Sequence, residues 1–228
     1  MTHDRPAPAP PAPSPRLAGL PGYGRGRAGQ AMPFRYRLGS NEAPDGPGAA
    51  VLAAMAEAAA DANRYPDLRG ETLAAALAGW HGLDAEGVAG GAGSIVLLDQ
   101  ILRAWCDPGD EVVTAWRSYE AYPILAGLAG ARLVEVPLDA AARLEPAAMV
   151  RAVGPRCRVV LICNPNNPTG TALPDEVLDD LLAALPEDRI VVLDEAYADY
   201  AAPPDRVRES PAPRLARHPN LAVLRTFS

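Results

Sequence analysis

Short apolar runs alternate with longer stretches in which apolar residues recur every three or four positions. Runs rich in β-branched residues lie at Glu111–Thr114, Arg132–Val136, Val159–Cys163, Ile190–Leu193 and Leu221–Leu224. Helical spacing falls between the first four, at Tyr119–Ala129, Pro146–Val153 and Pro174–Leu185, and earlier at Ile95–Cys106. Strand–helix alternation of this kind predicts a parallel sheet covered on both faces, an α/β class of fold. Upstream, Pro47–Asn63 is Ala-rich and suits a helix with its proline near the first turn, and Glu71–His81 predicts a second. Between Asp194 and Leu221 the prolines at 203, 204, 211 and 213 predict irregular chain. Residues 1–15 are mostly Pro, Ala and Ser and predict a disordered tail. Residues 16–40 mix Gly, Arg and Pro with Leu17, Leu20, Tyr23, Met32 and Phe34, the pattern of an extended arm lying on another surface.

Composition narrows the function more than the fold. The 228 residues are 49% hydrophobic and 21% charged, with a net charge of −7. That is a soluble globular profile, and the acidic balance disfavours a nucleic-acid partner. No stretch has the apolar length of a membrane span or of a secretory signal. Cys106, Cys157 and Cys163 have no metal-ligand spacing and read as buried thiols, which points to the cytoplasm and to no metal. There is no lysine at any position.

The polar residues gather where chemistry is expected. In open parallel sheets, ligands bind beyond the carboxyl ends of the strands. Val159–Cys163 is followed by Asn164-Pro165-Asn166-Asn167-Pro168-Thr169-Gly170, Ile190–Leu193 by Asp194-Glu195-Ala196-Tyr197, and Leu221–Leu224 by Arg225-Thr226-Phe227-Ser228. Taken singly, the Asn-Pro segment reads as a turn, Asp194 as a helix N-cap and Tyr197 as a core aromatic. Together they aim three polar strand ends at one edge. Gly90-Gly91-Ala92-Gly93-Ser94 opens the helix at Ile95 and fits a phosphate bound by backbone donors at a helix N-terminus, although a Gly-rich junction alone is weak evidence.

In this order and spacing the segments resemble the fold-type-I pyridoxal-phosphate aminotransferases, in the histidinol-phosphate aminotransferase-like branch. The resemblance runs from about Leu17 to Ser228, and is strongest at Cys163–Thr171, Val191–Tyr197 and Arg225–Ser228. It implies pyridoxal 5′-phosphate as cofactor and the three-layer, mostly parallel large domain of that family over 41–228. That domain would be incomplete at its C-terminus, and residues 16–40 would start a small domain. It further implies that Asp194 pairs with the ring nitrogen, that Asn167 and Tyr197 donate to the phenolic oxygen, and that Tyr119 stacks on the ring, where a core aromatic is the competing role. Ala92, Gly93, Ser94, Thr226 and Ser228 would hold the phosphate. Tyr65 would reach the phosphate of the neighbouring subunit, implying a homodimer, and Asn41 would lie on the substrate side.

In the family, Thr-Phe-Ser comes immediately before the lysine that forms the Schiff base, so the resemblance implies a chain cut just before that residue. Arg225 cannot replace it, because guanidinium stays protonated. Trp116-Arg117-Ser118-Tyr119-Glu120-Ala121-Tyr122-Pro123-Ile124 resembles the aromatic (phenylalanine) aminotransferases of the branch. The implied reaction moves an amino group from an aromatic amino acid to a 2-oxo acid such as 2-oxoglutarate. Histidinol phosphate is the alternative donor. An alternative of another class is a non-catalytic remnant that binds a phosphate ligand or a partner subunit.

The resemblance also implies two features of the sheet. Its first strand would be the short stretch leading into Gly90-Gly91, and the position between that strand and Leu221–Leu224, filled in the family by a late antiparallel strand, would be empty.

Overall fold

The computed structural model describes Ser14, Leu17 and residues 19–21, 39–201 and 210–228. The expected tail over 1–15 and arm over 16–40 lie almost wholly outside these residues. The chain forms two compact units, one of residues 22–90 and one of residues 1–21 with 91–228, so the boundary at Gly90/Gly91 falls inside the stretch expected as one large domain.

The larger unit is built on five strands: β1 (Glu111–Trp116), β2 (Arg132–Pro137), β3 (Cys157–Cys163), β4 (Ile190–Asp194) and β5 (Leu221–Leu224). They lie in the order β2-β1-β3-β4-β5, and every pairing is parallel. Strand β3 is central. Its residues 159–163 are all buried, as expected of a strand covered on both faces. Edge strand β2 instead exposes Arg132 and Glu135, charges that discourage a further strand from adding there.

Among the described residues, six helices belong to this unit: α3 (Ser94–Trp105), α4 (Tyr122–Ala129), α5 (Pro146–Ala152), α6 (Asp175–Ala184), α7 (Ala198–Ala201) and α8 (Ala212–Arg217). Strand alternation sorts the core into two layers. Leu98, Leu102, Tyr122, Leu125 and Ala126 of α3 and α4 pack with Val159, Leu161, Cys163 and Val192. Met149, Leu178, Leu181 and Leu182 of α5 and α6 pack with Val160, Ile162, Val191 and Leu193 on the other face. The spacing of Leu178, Leu181 and Leu182 is the one-sided stripe such a helix needs. Gly130, at φ 84°, ends α4 in the left-handed region that a side chain resists, and its N–H reaches back to the helix carbonyls.

The smaller unit carries α1 (Ala49–Ala59), α2 (Glu71–His81) and a 3-10 turn at Ala85–Gly87. The sequence anticipated α2 to the residue. It overextended α1, whose last residues continue as hydrogen-bonded turns.

Two expectations fail among the described residues. The stretch before Gly90-Gly91 is not a strand: it is the 3-10 turn followed by extended Val88, and no strand pairs with it. Extended backbone becomes a strand only with a ladder partner. Strand β5 is a sheet edge, paired with β4 alone, so the position beside it is unfilled, as expected. The stretch between Asp194 and Leu221 is not wholly irregular, because α7 and α8 lie within it. Pro211 and Pro213 sit at the N-cap and first turn of α8, where a missing N–H costs nothing.

Candidate active site

Strand order sets where a ligand can sit. The chain runs from β1 outward to β2, then returns to the other side of β1 as β3. The carboxyl ends of β1 and β3 therefore flank the point where strand order reverses, the crevice that open α/β sheets use for ligands. Two loops meet there. The Ser118 hydroxyl, after β1, donates to Asn166 Oδ1, after β3, at 2.6 Å. Asn166 Nδ2 donates to the Arg117 carbonyl at 3.0 Å and to Thr169 Oγ1 at 2.9 Å. Both Ser118 and Asn166 are buried, so these bonds form away from competing water. On the same loop, Asn164 Oδ1 accepts from the Leu173 N–H at 2.8 Å.

Asp194 ends β4, one strand over. It follows the alternation of Val192 and so falls on the α3/α4 face. Its carboxylate is buried, 5% exposed. Oδ2 accepts from the Tyr122 hydroxyl of α4 at 2.8 Å, and Oδ1 accepts from the Ala196 N–H at 3.2 Å. Burial raises the carboxyl pKa above the usual range, the charge of Glu195 raises it further, and the two donors pull against them. The Tyr122 phenol is pushed well above its ordinary value, first by burial and then by the Asp194 charge, so it stays a donor at any working pH. Cys163 lies against this pair, and burial raises its thiol to about 12.

A second buried contact joins the ends of β4 and β5. Arg225 Nε and Nη2 lie 2.8 Å and 2.7 Å from Glu195 Oε2, with both side chains largely out of water. The Glu195 N–H donates to the Leu224 carbonyl at 2.9 Å. These bonds anchor the segment that carries Thr226 and Ser228, whose hydroxyls lie 2.7 Å apart.

Tyr119, Asn167, Asp194, Tyr197, Thr226 and Ser228 all follow or end strands at this one edge. Tyr119 is half-buried and meets Tyr122 edge-on, with centroids 5.6 Å apart. Asn167 and Tyr197 are half-buried, and Tyr197 tilts against Tyr200. Ala92, Gly93 and Ser94 reach the same edge by topology. Helix α3 leads by a short turn into the start of β1, so its opposite end lies toward the strands' carboxyl ends. Gly93, at φ 80°, takes a conformation that side chains resist, and α3 begins with no side-chain cap on its free N–H groups. Asn41 and Tyr65 belong to the smaller unit, where both are exposed.

Sequence reasoning missed Tyr122, Ser118, Asn166 and the Glu195–Arg225 pair. Tyr122 carried one signal: it lies three residues after Tyr119, the spacing of one face in the helix expected over Tyr119–Ala129. Asn166 carried none, because its role depends on a loop 48 positions away.

Comparison with known proteins places the whole chain. The aminotransferase class I and II family matches residues 36–228. An aromatic amino acid aminotransferase of Thermobifida fusca (strain YX) is 50% identical over 215 residues, which is 93% of this chain and 58% of that protein. Another, of Corynebacterium jeikeium (strain K411), is 46% identical over 216 residues, 94% of this chain and 56% of that one. A solved histidinol-phosphate aminotransferase from Sinorhizobium meliloti, in complex with pyridoxal-5′-phosphate, superposes with a TM-score of 0.76 at 37% identity, covering 83% of this chain and 51% of that one. The chain thus spans a little over half the length of the curated relatives it matches. With its parallel sheet, its polar strand ends and most of its length matched in this way, the chain belongs to aminotransferase class I and II.

Proposed function

We propose that this chain is the ring-binding portion of a pyridoxal 5′-phosphate-dependent aminotransferase. It would act in the cytoplasm on an aromatic amino acid, with a 2-oxo acid such as 2-oxoglutarate as acceptor. The observation that carries the reading is the buried Asp194 carboxylate at the carboxyl end of β4. A carboxylate out of water needs a cation, and a protonated ring nitrogen beside it is one, each stabilising the charged form of the other. When bound, the cofactor supplies the electron sink for chemistry at the substrate α-carbon.

The protein's own groups divide the remaining work. Asp194 keeps the ring nitrogen protonated. Asn167 and Tyr197 hold the phenolic oxygen, and Tyr119 covers a ring face. Ala92, Gly93 and Ser94, at the turn that opens α3, take the phosphate together with the Thr226 and Ser228 hydroxyls. Tyr65 serves the phosphate of a second subunit in a homodimer, and Asn41 lies on the substrate side. Residues 16–40 begin a small domain, and 41–228 supply part of the large one. The donor set fits the group in charge and in kind.

One group is not among the 228 residues: a lysine to hold the cofactor covalently and move the proton. This chain alone should form no adduct with pyridoxal phosphate that borohydride traps on a side chain, once its α-amino group is blocked. It should also show no transamination above background. Joined to a C-terminal portion like those of its relatives, it should gain both, and Asp194→Asn there should remove most activity while covalent attachment persists. Turnover by the 228-residue chain alone would overturn the reading.

The relatives' names support an aromatic donor, and the name of the Sinorhizobium structure supports histidinol phosphate as the second reading. A higher kcat/KM for phenylalanine than for histidinol phosphate decides for the first. For the dimer, a Tyr65→Phe subunit mixed with an Asp194→Asn subunit should recover activity in the hybrid, and no recovery would count against a shared site.

A further inference from the structure

We propose that Tyr122 is a positioning residue for the ring-binding acid: its hydroxyl fixes Oδ2 of Asp194, and its ring braces Tyr119, so one side chain sets both the acid and the ring-covering aromatic. The inference rests on the cofactor reading above and deepens it.

Three observations carry it. First, Tyr122 is fully buried, and its hydroxyl donates to Asp194 Oδ2 at 2.8 Å. A phenol in the core needs a partner, and this one is charged, which makes the bond short and strong. Second, the two residues come from different elements, α4 and β4, 72 positions apart. The bond therefore locks the carboxylate to a helix packed on the sheet and leaves it little freedom to rotate. The Ala196 N–H holds the other oxygen more loosely, at 3.2 Å. Third, Tyr119 stands edge-on to Tyr122, with the rings 85° apart and centroids at 5.6 Å, a favourable aromatic geometry.

The consequence is electrostatic as well as geometric. Asp194 is buried in a layer built from Leu98, Leu102, Cys163, Val192 and Leu224. Without a donor, such a carboxyl would take up a proton and lose its value as a counter-ion. The groups that face it are Tyr122 from α4, Cys163 from β3 and Glu195 from its own strand end. Cys163 stays a neutral thiol, and the Glu195 charge is paired with Arg225. Tyr122 is the side-chain donor that holds the anion.

The test is Tyr122→Phe, read on the 228-residue chain without cofactor by carbon NMR of the Asp194 carboxyl. Phenylalanine keeps the ring and removes the hydroxyl. The carboxyl midpoint should rise, with proton binding about tenfold tighter. A residue that only filled the core would leave the midpoint where it was, and that result overturns the proposal. A second measurement needs no variant. In the unaltered chain, the ring-carbon signal of Tyr122 next to its hydroxyl should shift with pH at the same midpoint as Asp194, and a signal flat across that titration overturns the proposal even if the variant fails to fold. The cofactor reading is tested elsewhere, by the activity of the extended protein. Failure of that reading and failure of the Tyr122–Asp194 coupling are therefore told apart.

Discussion

The two compact units share a helical vocabulary and differ in what their helices bury. In the unit built on the sheet, α3 places Leu98 and Leu102 in the core, and α6 places Leu178, Leu181 and Leu182 there. In the unit of residues 22–90, α1 has no buried residue and α2 buries only Ala74 and Ala78. Leu68 and Trp80 of that unit are 88% and 66% exposed. The difference separates two sources of helix stability. Alanine favours the helix locally but offers little area to bury, whereas a leucine stripe stabilises a helix only through what it packs on. Both α1 and α2 have 11 residues, marginal for an isolated helix. Packing of this kind predicts cooperative unfolding for the sheet unit and easier local opening of α1 and α2.

The sharpest break of that comparison is Leu102→Ala. The side chain is fully buried between α3 and the sheet. Its loss should destabilise the chain by about 2–5 kcal/mol, seen as a lower urea midpoint with unchanged slope. A cost near zero would mean that the sheet core is not the cooperative unit.

Next in size is Glu195→Gln. It removes the Glu195 charge that meets Arg225 between the ends of β4 and β5. Neither side chain is wholly dry, so the cost should be about 2 kcal/mol, below that of a fully buried pair. Hydrogen exchange should show it as faster opening at residues 221–228 while β3 stays protected. Uniform loss of protection would contradict a local anchor.

How much of this was legible follows the range of each interaction. The Leu221–Leu224 strand and the Glu71–His81 helix are local patterns, and both were read to the residue. Asp194 was legible because a polar residue ending an apolar run marks a strand's carboxyl end. Helix α8 was missed because its prolines read as breakers, although the first helical turn accepts them. The stretch before Gly90 was misread because an extended segment looks the same whether or not a neighbour pairs with it. Tyr122 and Asn166 were missed because their partners lie 72 and 48 positions away, and no local pattern encodes that distance.

A smaller effect lies at the sheet's opposite edge. Glu111 Oε1 accepts from Arg132 Nη2 at 2.7 Å and from Arg156 Nη2 at 2.8 Å, tying the starts of β1, β2 and β3. The Arg132 and Arg156 bonds hold the Glu111 pKa below its ordinary value. The unfolded chain therefore binds a proton here at higher pH than the folded one. The stabilisation is complete above the unfolded value of about 4.3 and is lost as pH falls through the lower folded value. Both arginines are mostly exposed, so the contribution should be about 1 kcal/mol. Glu111→Gln should flatten stability against pH in that acid window and leave the slope near neutrality unchanged.

The smallest effect sharpens the comparison most. Met55 lies in the middle of α1 and is 59% exposed. Met55→Ala removes a large apolar side chain, as Leu102→Ala does, but takes it from water rather than from a core. The transfer term is then small, no cavity is left, and alanine is at least as good a helix former as methionine. The urea midpoint of the 228-residue chain should move by no more than about 0.5 kcal/mol in equivalent stability. Hydrogen exchange gives an independent reading, since amides of α1 should exchange far faster than those of β3 in both proteins. A cost above about 2 kcal/mol would require a packed partner over Met55. The smaller unit would then belong to the cooperative core, and the contrast between the two units would fall.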